Sequence, residues 1–155
     1  MKPILIFGFG NPSRGDDALG PLFVERVEAL GLPGVGCLTD FQLQVEHALD
    51  LKGRRRVLFV DASLNAPESF GATPIGPSKD ESFTTHAMTP QAVLQVYRDL
   101  EGADPPPAWL LAIRGERFEL GEPLSEAAAC RLDEAVAWAT AWIGEQEPGI
   151  AGNRL

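Results

Sequence analysis

Short apolar runs alternate with segments whose apolar residues recur at helical spacing, and this alternation constrains the fold more than any other feature of the chain. The apolar runs cover residues 3–8, 35–39, 57–60 and 109–113, and part of 69–75 could form an edge strand. Continuous apolar runs of this length are typical of strands buried on both faces. The helical segments start near Leu19, Val45, Thr89 and Ser125. Strands alternating with helices predict an α/β fold with a mostly parallel sheet covered on both faces.

Charge argues against a nucleic-acid partner. The chain carries a formal net charge of −9, whereas phosphate binding needs clustered Lys and Arg. The only dense basic run, Arg54 to Arg56, directly precedes the apolar run 57–60. We interpret it as a solvated strand entrance.

Composition predicts a single cytoplasmic domain over residues 1–155, with a frayed tail from about residue 147. Met1 is followed almost at once by a strand pattern rather than by a signal sequence, and no apolar run has the length of a membrane span. Neither Cys37 nor Cys130 belongs to a CxxC motif. We expect both to be small buried hydrophobic residues in a reducing cytosol.

Three ionisable side chains are predicted to meet at one edge of the sheet. In open parallel sheets, ligands bind outside the carboxyl ends of the strands. The loop from Asn11 to Asp17 leaves the first strand, Asp61 closes the third, and His86 directly precedes the helix that begins at Thr89. Their positions in the chain therefore place Asp17, Asp61 and His86 on the same edge.

Each of these residues also has a structural interpretation. Asp16 and Asp17 could both cap a helix, or one could cap while the other faces the edge as a ligand. Asp61 could end a buried strand by binding backbone amides, and His86 could be a loop residue without a role. We interpret His47, in the second helical segment, as a structural residue at the surface or an interface.

A nucleotide is a poor fit to the first loop. The sequence Gly8-Phe9-Gly10 after a strand is similar to a dinucleotide-binding loop, but the spacing fails the GxGxxG pattern. Pro12 removes an amide donor, and the two aspartates would repel phosphate at the helix start. Two carboxylates and one imidazole instead suit Zn, Ni, Fe or Mn and leave open coordination positions. The sequence contains no GxSxG elbow and no HExxH motif.

The motifs together resemble those of the hydrogenase maturation proteases. The resemblance rests on Gly8-x-Gly10-Asn11 followed by Asp16-Asp17-x-x-Gly20, on Val57-Leu58-Phe59-Val60-Asp61-Ala62, and on Thr85-His86-x-x-Thr89-Pro90. Their order and approximate spacing agree over residues 3–143. Ala18 stands where many members have glycine. Gln42-Leu43-x-x-Glu46 is similar to a segment of members that serve cytosolic, bidirectional-type hydrogenases.

The resemblance implies a three-layer α/β/α sandwich around a twisted five-stranded sheet. It also implies an endopeptidase that removes the C-terminal peptide of a nickel-iron hydrogenase large-subunit precursor once nickel is in place. Matched residue by residue, the metal ligands would be Asp17, Asp61 and His86. Nickel would arrive on the substrate, and the water that attacks the peptide could be activated by the metal, by Asp17 or by Asp61. A nickel-binding chaperone without hydrolytic activity and a nucleotide-binding enzyme are the alternatives.

Overall fold

The computed structural model describes residues 1–79 and 88–145, and this part of the chain contains five strands and three α-helices. The strands are β1 (Ile4–Phe9), β2 (Val35–Asp40), β3 (Arg56–Ser63), β4 (Phe70–Ile75) and β5 (Ala108–Arg114). The α-helices are α1 (Leu19–Ala29), α2 (Pro90–Glu101) and α3 (Glu126–Gly144). Two 3-10 helices cover Gly15–Ala18 and Val45–Leu51. No helix in the described ranges is long and apolar enough to cross a membrane.

The five strands form one sheet in the order β2-β1-β3-β5-β4. Strands β2, β1, β3 and β5 are mutually parallel, and β4 runs antiparallel to β5 at the edge. Pro74 lies in this edge strand, where the missing N–H donor is tolerated. The predicted mostly parallel five-stranded sheet is confirmed, and the carboxyl ends of its four parallel strands lie at one edge.

Helices cover both faces of the sheet, so that successive strand residues are buried on opposite sides. Ile6 packs under α1 and α3, whereas its neighbours Leu5 and Phe7 pack under α2 and the second 3-10 helix. The same alternation holds in β3, where Leu58 and Phe59 lie in different clusters. Burial of both faces explains the continuous apolar runs. The predicted three-layer arrangement is therefore confirmed.

The predicted helix starts are also confirmed. Thr89 caps α2, since its Oγ1 accepts a hydrogen bond from the Ala92 N–H at 3.1 Å, and Pro90 takes the first helical position. Ser125 caps α3 in the same way, accepting from the Ala128 N–H at 3.2 Å. A side-chain oxygen at this position satisfies an N–H that has no partner within the helix.

Arg56 corrects the interpretation of the basic run. It is only 4% exposed, and its guanidinium donates to the carbonyls of Trp142, Ile143 and Glu145 at 2.9, 3.2 and 3.0 Å. The guanidinium carbon also lies 4.5 Å from the centre of the Trp142 ring. The cation therefore caps the carboxyl end of α3, while Arg55 is exposed. The prediction that the basic run is solvated at the start of a strand was therefore wrong for Arg56.

Two further predictions need correction. Cys130 is exposed rather than buried, because helical periodicity turns it outward while Ala128 and Leu132 face the core. Cys37 is half-buried, and burial raises the pKa of its thiol. The third strand does not close at Asp61, since β3 pairs with β5 as far as Ser63. The predicted frayed tail lies outside the described residues.

Candidate active site

The first loop fixes the side chain of Asp17. Asp17 lies in the 3-10 helix that precedes α1, and its Oδ2 accepts a hydrogen bond from the Asn11 N–H at 2.7 Å. Gly10 has a φ of 146°, and a Cβ there would overlap the Asp17 carbonyl oxygen. Only glycine allows this close return of the loop on itself. The carboxylate is therefore held by the loop that carries it and remains half-buried.

Asp61 lies next to Asp17 at the carboxyl edge of the sheet. Burial and, to a smaller extent, the negative charge of Asp17 raise the pKa of Asp61 to about 7, against one hydrogen bond from the Ala62 N–H that lowers it. That bond joins Ala62 N to Asp61 Oδ1 at 2.8 Å. The charge of Asp17 acts on the Asp61 carboxyl group, so the two side chains lie within electrostatic reach of each other. The structure thus brings together two of the three predicted ligands.

Close packing at a glycine of α1 explains how the first loop comes to lie beside β3. Gly20 is the second residue of α1, and a Cβ at this position would overlap the backbone of Phe9 and come within 2.9 Å of the Val60 carbonyl oxygen. The start of α1 therefore sits directly on the ends of β1 and β3. This contact places Asp17 near β3, the strand that contains Asp61.

Asp16 does not cap α1, because its side chain points toward another segment. The carboxylate is 0% exposed and accepts hydrogen bonds from the amides of Glu116, Arg117 and Ser125 and from the Ser125 hydroxyl. Burial alone would raise the pKa of Asp16, but these hydrogen bonds hold it below its ordinary value. One aspartate of the pair is thus structural, while the other faces the edge.

The backbone of the first loop leaves no amide for a phosphate. Every N–H between residues 10 and 17 donates to an acceptor within the protein, except at Pro12, which has none. The Asn11 backbone N–H is bonded to the Asp17 carboxylate. Phosphate binding at a helix start depends on free amides and on the absence of competing negative charge. The structure therefore disfavours the nucleotide alternative.

His47 has a structural place beside β1 and β2. Its Nδ1 accepts from the Gln44 N–H at 2.8 Å, and its Nε2 lies 3.1 Å from Asp40 Oδ2. The ring also meets Phe7 edge-on, with 4.7 Å between ring centres. Only 12% of the side chain is exposed, so the structural interpretation fits, and most of the ring is buried.

His86, the third predicted ligand, lies outside the described residues. Within residues 1–79 and 88–145 no group of three or more His, Cys, Asp and Glu side chains could hold a metal ion. Of the three predicted ligands, the described residues include only the carboxylates of Asp17 and Asp61. The three-ligand metal site stays a prediction.

Solved structures of known function share this fold. NiFe hydrogenase maturation protease HycI from Thermococcus kodakarensis superposes with a TM-score of 0.70 at 24% identity, covering 93% of this chain and 94% of its own. The hydrogenase maturating endopeptidase HybD from E. coli gives a TM-score of 0.70 at 21% identity, with 90% and 91% covered. A hydrogenase 2 maturation peptidase from a Thaumarchaeota archaeon gives 0.66 at 21% identity, with 94% and 100% covered.

The chain has the fold of the hydrogenase maturation proteases. The resemblance drawn from the three sequence motifs is confirmed at this level, over most of the length of each structure. No protein-family model matches the chain, and no curated protein matches it.

One segment of the maturation-protease fold escaped the sequence interpretation. Residues 115–125 follow the carboxyl end of β5 and are bound to the first loop through Asp16. They contain no metal-ligand motif and no helical or strand periodicity that marks them. The only signal in the sequence was the pair Asp16-Asp17 itself, for which one interpretation gave one residue a structural role and the other a place at the edge.

Proposed function

We propose that this chain is an endopeptidase that removes the C-terminal extension of a nickel-iron hydrogenase large-subunit precursor after nickel insertion. The observation that supports it is the pair Asp17 and Asp61, which lie together at the carboxyl edge of a sheet with the maturation-protease fold. We expect the protein to act in the cytoplasm, where the precursor would be its partner.

Asp61 is the better candidate of the two carboxylates for proton transfer. In the metal-free protein a group with a pKa of about 7 is present in both protonation states near neutral pH, and proton transfer in the complex would use a carboxylate oxygen of Asp61 that is not bound to nickel. As a carboxylate it would accept a proton from the water that attacks the scissile carbonyl carbon. As an acid it would then donate that proton to the departing amide nitrogen. The peptide C–N bond breaks, a new C–O bond forms, and Asp61 returns to its initial state.

Nickel belongs to the substrate in this proposal. Thiolates of the precursor hold the ion, and Asp17, Asp61 and His86 would add two carboxylates and one imidazole as further ligands. Coordination requires deprotonated Asp61, so nickel binding would release a proton and strengthen as pH rises through about 7. Three ligands without a thiolate of this protein form a weak site. Free nickel should therefore be lost on dialysis against a chelator.

The test is incubation of the purified protein with nickel-loaded and nickel-free precursor, followed by mass spectrometry of the precursor. The proposal predicts shortening of the nickel-loaded form at one peptide bond and no change in the nickel-free form. A complex with nickel-loaded precursor of unchanged length would favour the chaperone alternative. Equal cleavage of both forms would contradict recognition through nickel.

A further inference from the structure

The segment 115–125, here called the β5–α3 loop, begins beside the strand that carries Asp61. It leaves β5 at Arg114, which pairs with Ser63, two residues beyond Asp61. The Gly115 N–H donates to the Ser63 carbonyl oxygen at 3.0 Å. The β5–α3 loop therefore starts at the same edge of the sheet as the candidate active site.

Asp16 is the main connection between this loop and the first loop. Its Oδ2 accepts from the Glu116 and Arg117 amides at 2.7 and 3.1 Å and from the Ser125 hydroxyl at 2.8 Å. Its Oδ1 accepts from the Ser125 amide at 2.8 Å. The Asp16 N–H in turn donates to the Arg117 carbonyl at 2.6 Å. A charged acceptor fully enclosed by four donors is a rigid connection.

Backbone hydrogen bonds near Asp16 also join the first loop to the β5–α3 loop. The Gly15 N–H donates to the Glu122 carbonyl at 3.1 Å, and the Gly121 N–H donates to the Ser13 carbonyl at 2.7 Å. A Cβ on Gly15 would come within 2.5 Å of the Arg117 carbonyl oxygen. The two loops thus fit against each other without space for a shift of the backbone at Asp16.

Asp17 follows directly in the chain, so its side chain starts from this clamped backbone. Its N–H donates to the Arg14 carbonyl at 3.0 Å, and its carboxylate accepts the Asn11 N–H at 2.7 Å. Loss of the Asp16 carboxylate would leave only backbone hydrogen bonds to hold this turn against the β5–α3 loop. The carboxylate of Asp17 would then lose its fixed place relative to β3.

We propose that Asp16 is a positioning residue, which locks the first loop to the β5–α3 loop and thereby fixes the Asp17 carboxylate beside Asp61. Its effect on catalysis rests on the proposed function, whereas the positioning itself does not. Four converging donors require an acceptor without hydrogens of its own. Asparagine would turn an NH2 group toward at least one of these donors, and alanine would leave all four without this acceptor.

The amide proton of Asn11 reports the position of Asp17 without any substrate. Bonded to a carboxylate at 2.7 Å, it should resonate well downfield in the NMR spectrum of the native protein. In Asp16→Asn and Asp16→Ala we expect this signal to move toward the random-coil position. Ser125→Ala, which removes one of the four donors to Asp16, should move it by a smaller amount. The matched control is Leu132→Ala in the core face of α3, which should lower the melting temperature and leave the Asn11 signal in place.

Activity provides the second readout. Asp16→Asn should lower kcat/KM for the nickel-loaded precursor by about tenfold or more, since a displaced Asp17 is misplaced both for binding the nickel of the precursor and for the chemistry beside Asp61. Leu132→Ala should keep the wild-type kcat/KM at temperatures well below its melting point.

The outcomes separate the two proposals. An unchanged Asn11 signal in Asp16→Asn and in Ser125→Ala would overturn the positioning role, even if Asp16→Ala failed to fold. A native kcat/KM in Asp16→Asn would overturn it as well. A displaced Asn11 signal together with a wild-type protein that never cleaves the precursor would support the positioning role and contradict the proposed function.

Discussion

The fold gives opposite properties to two aspartates at the carboxyl edge of the sheet. Burial raises the pKa of Asp61 to about 7, with one hydrogen bond to oppose it. The Asp16 side chain has no exposed surface, but four hydrogen bonds hold its pKa below the ordinary value. The difference arises from the stronger effect of burial at Asp61 and from the larger number of donors at Asp16, because each donor stabilises the ionised form. Asp16 is thereby suited to a structural role as a permanently ionised acceptor, and Asp61 is suited to binding and releasing a proton.

The first prediction concerns Asp61→Asn in the metal-free protein. Between about pH 4 and about pH 7 the unfolded chain has lost the proton that folded Asp61 retains, so the free energy of unfolding falls as pH rises through this window. Because asparagine cannot ionise, the variant should not show this decrease in the free energy of unfolding. Urea denaturation should show the variant to be more stable than the wild type at pH 8 by up to a few kcal/mol, since each pKa unit corresponds to about 1.4 kcal/mol.

Glu119→Gln is the matched control for this prediction, because it makes the same chemical change at an exposed position. Its pH profile should follow that of the wild type. If Asp61→Asn and Glu119→Gln had the same stability profile, the raised pKa of Asp61 would be wrong.

The second prediction contrasts the two histidines of the chain. His86→Ala should abolish processing of the nickel-loaded precursor with the melting temperature nearly unchanged, because a methyl group cannot replace an imidazole ligand. His47→Ala should do the reverse. It removes the contacts with Gln44 and Asp40, so it should lower the melting temperature by several degrees and leave nickel binding intact.

Calorimetric titration with nickel and thermal unfolding of both variants would check this contrast. Native-rate cleavage by His86→Ala would remove this residue from the site. Loss of activity together with cooperative unfolding of His86→Ala would instead favour a structural role.

At the scale of elements, α3 depends on a cation that comes from another part of the chain. Arg56 begins β3, yet its guanidinium binds the last carbonyls of α3, which has no basic residue in its own last turn. The strand in the centre of the sheet and the longest helix are therefore joined at their ends. This contact lies at the opposite edge of the sheet from Asp61, since β3 runs from Arg56 toward the candidate site.

The third prediction follows from this contact. Arg56→Met should lower the free energy of unfolding by about 2–4 kcal/mol, because buried carbonyls lose charged donors that methionine cannot supply. Arg55→Met, one residue earlier and exposed, should change it by less than about 0.5 kcal/mol. Chemical denaturation of both variants checks this difference. Equal stability of the two would show that the α3 cap contributes nothing to folding.

For the whole molecule, the sheet and the helix starts could be predicted because their signals are local. Apolar runs mark strands buried on both faces, and Thr89-Pro90 and Ser125 carry their own capping chemistry. The candidate site could be predicted in part, since chain order alone brings the end of β1 and the end of β3 to one edge. Arg56 and the β5–α3 loop could not be predicted, because their partners lie 86 to 109 residues away along the chain. No local pattern records such contacts.

In the proposed site, Asp17, Asp61 and His86 would bind one nickel ion at the carboxyl edge of the sheet. A crystal of the metal-free protein soaked in a nickel salt above pH 7 tests it directly, with anomalous diffraction at the nickel edge to locate the ion. The account predicts one strong peak within bonding distance of both carboxylates and the imidazole of His86. A peak bound to other residues, or a structure in which His86 lies too far from Asp17 and Asp61 to share an ion, would contradict it.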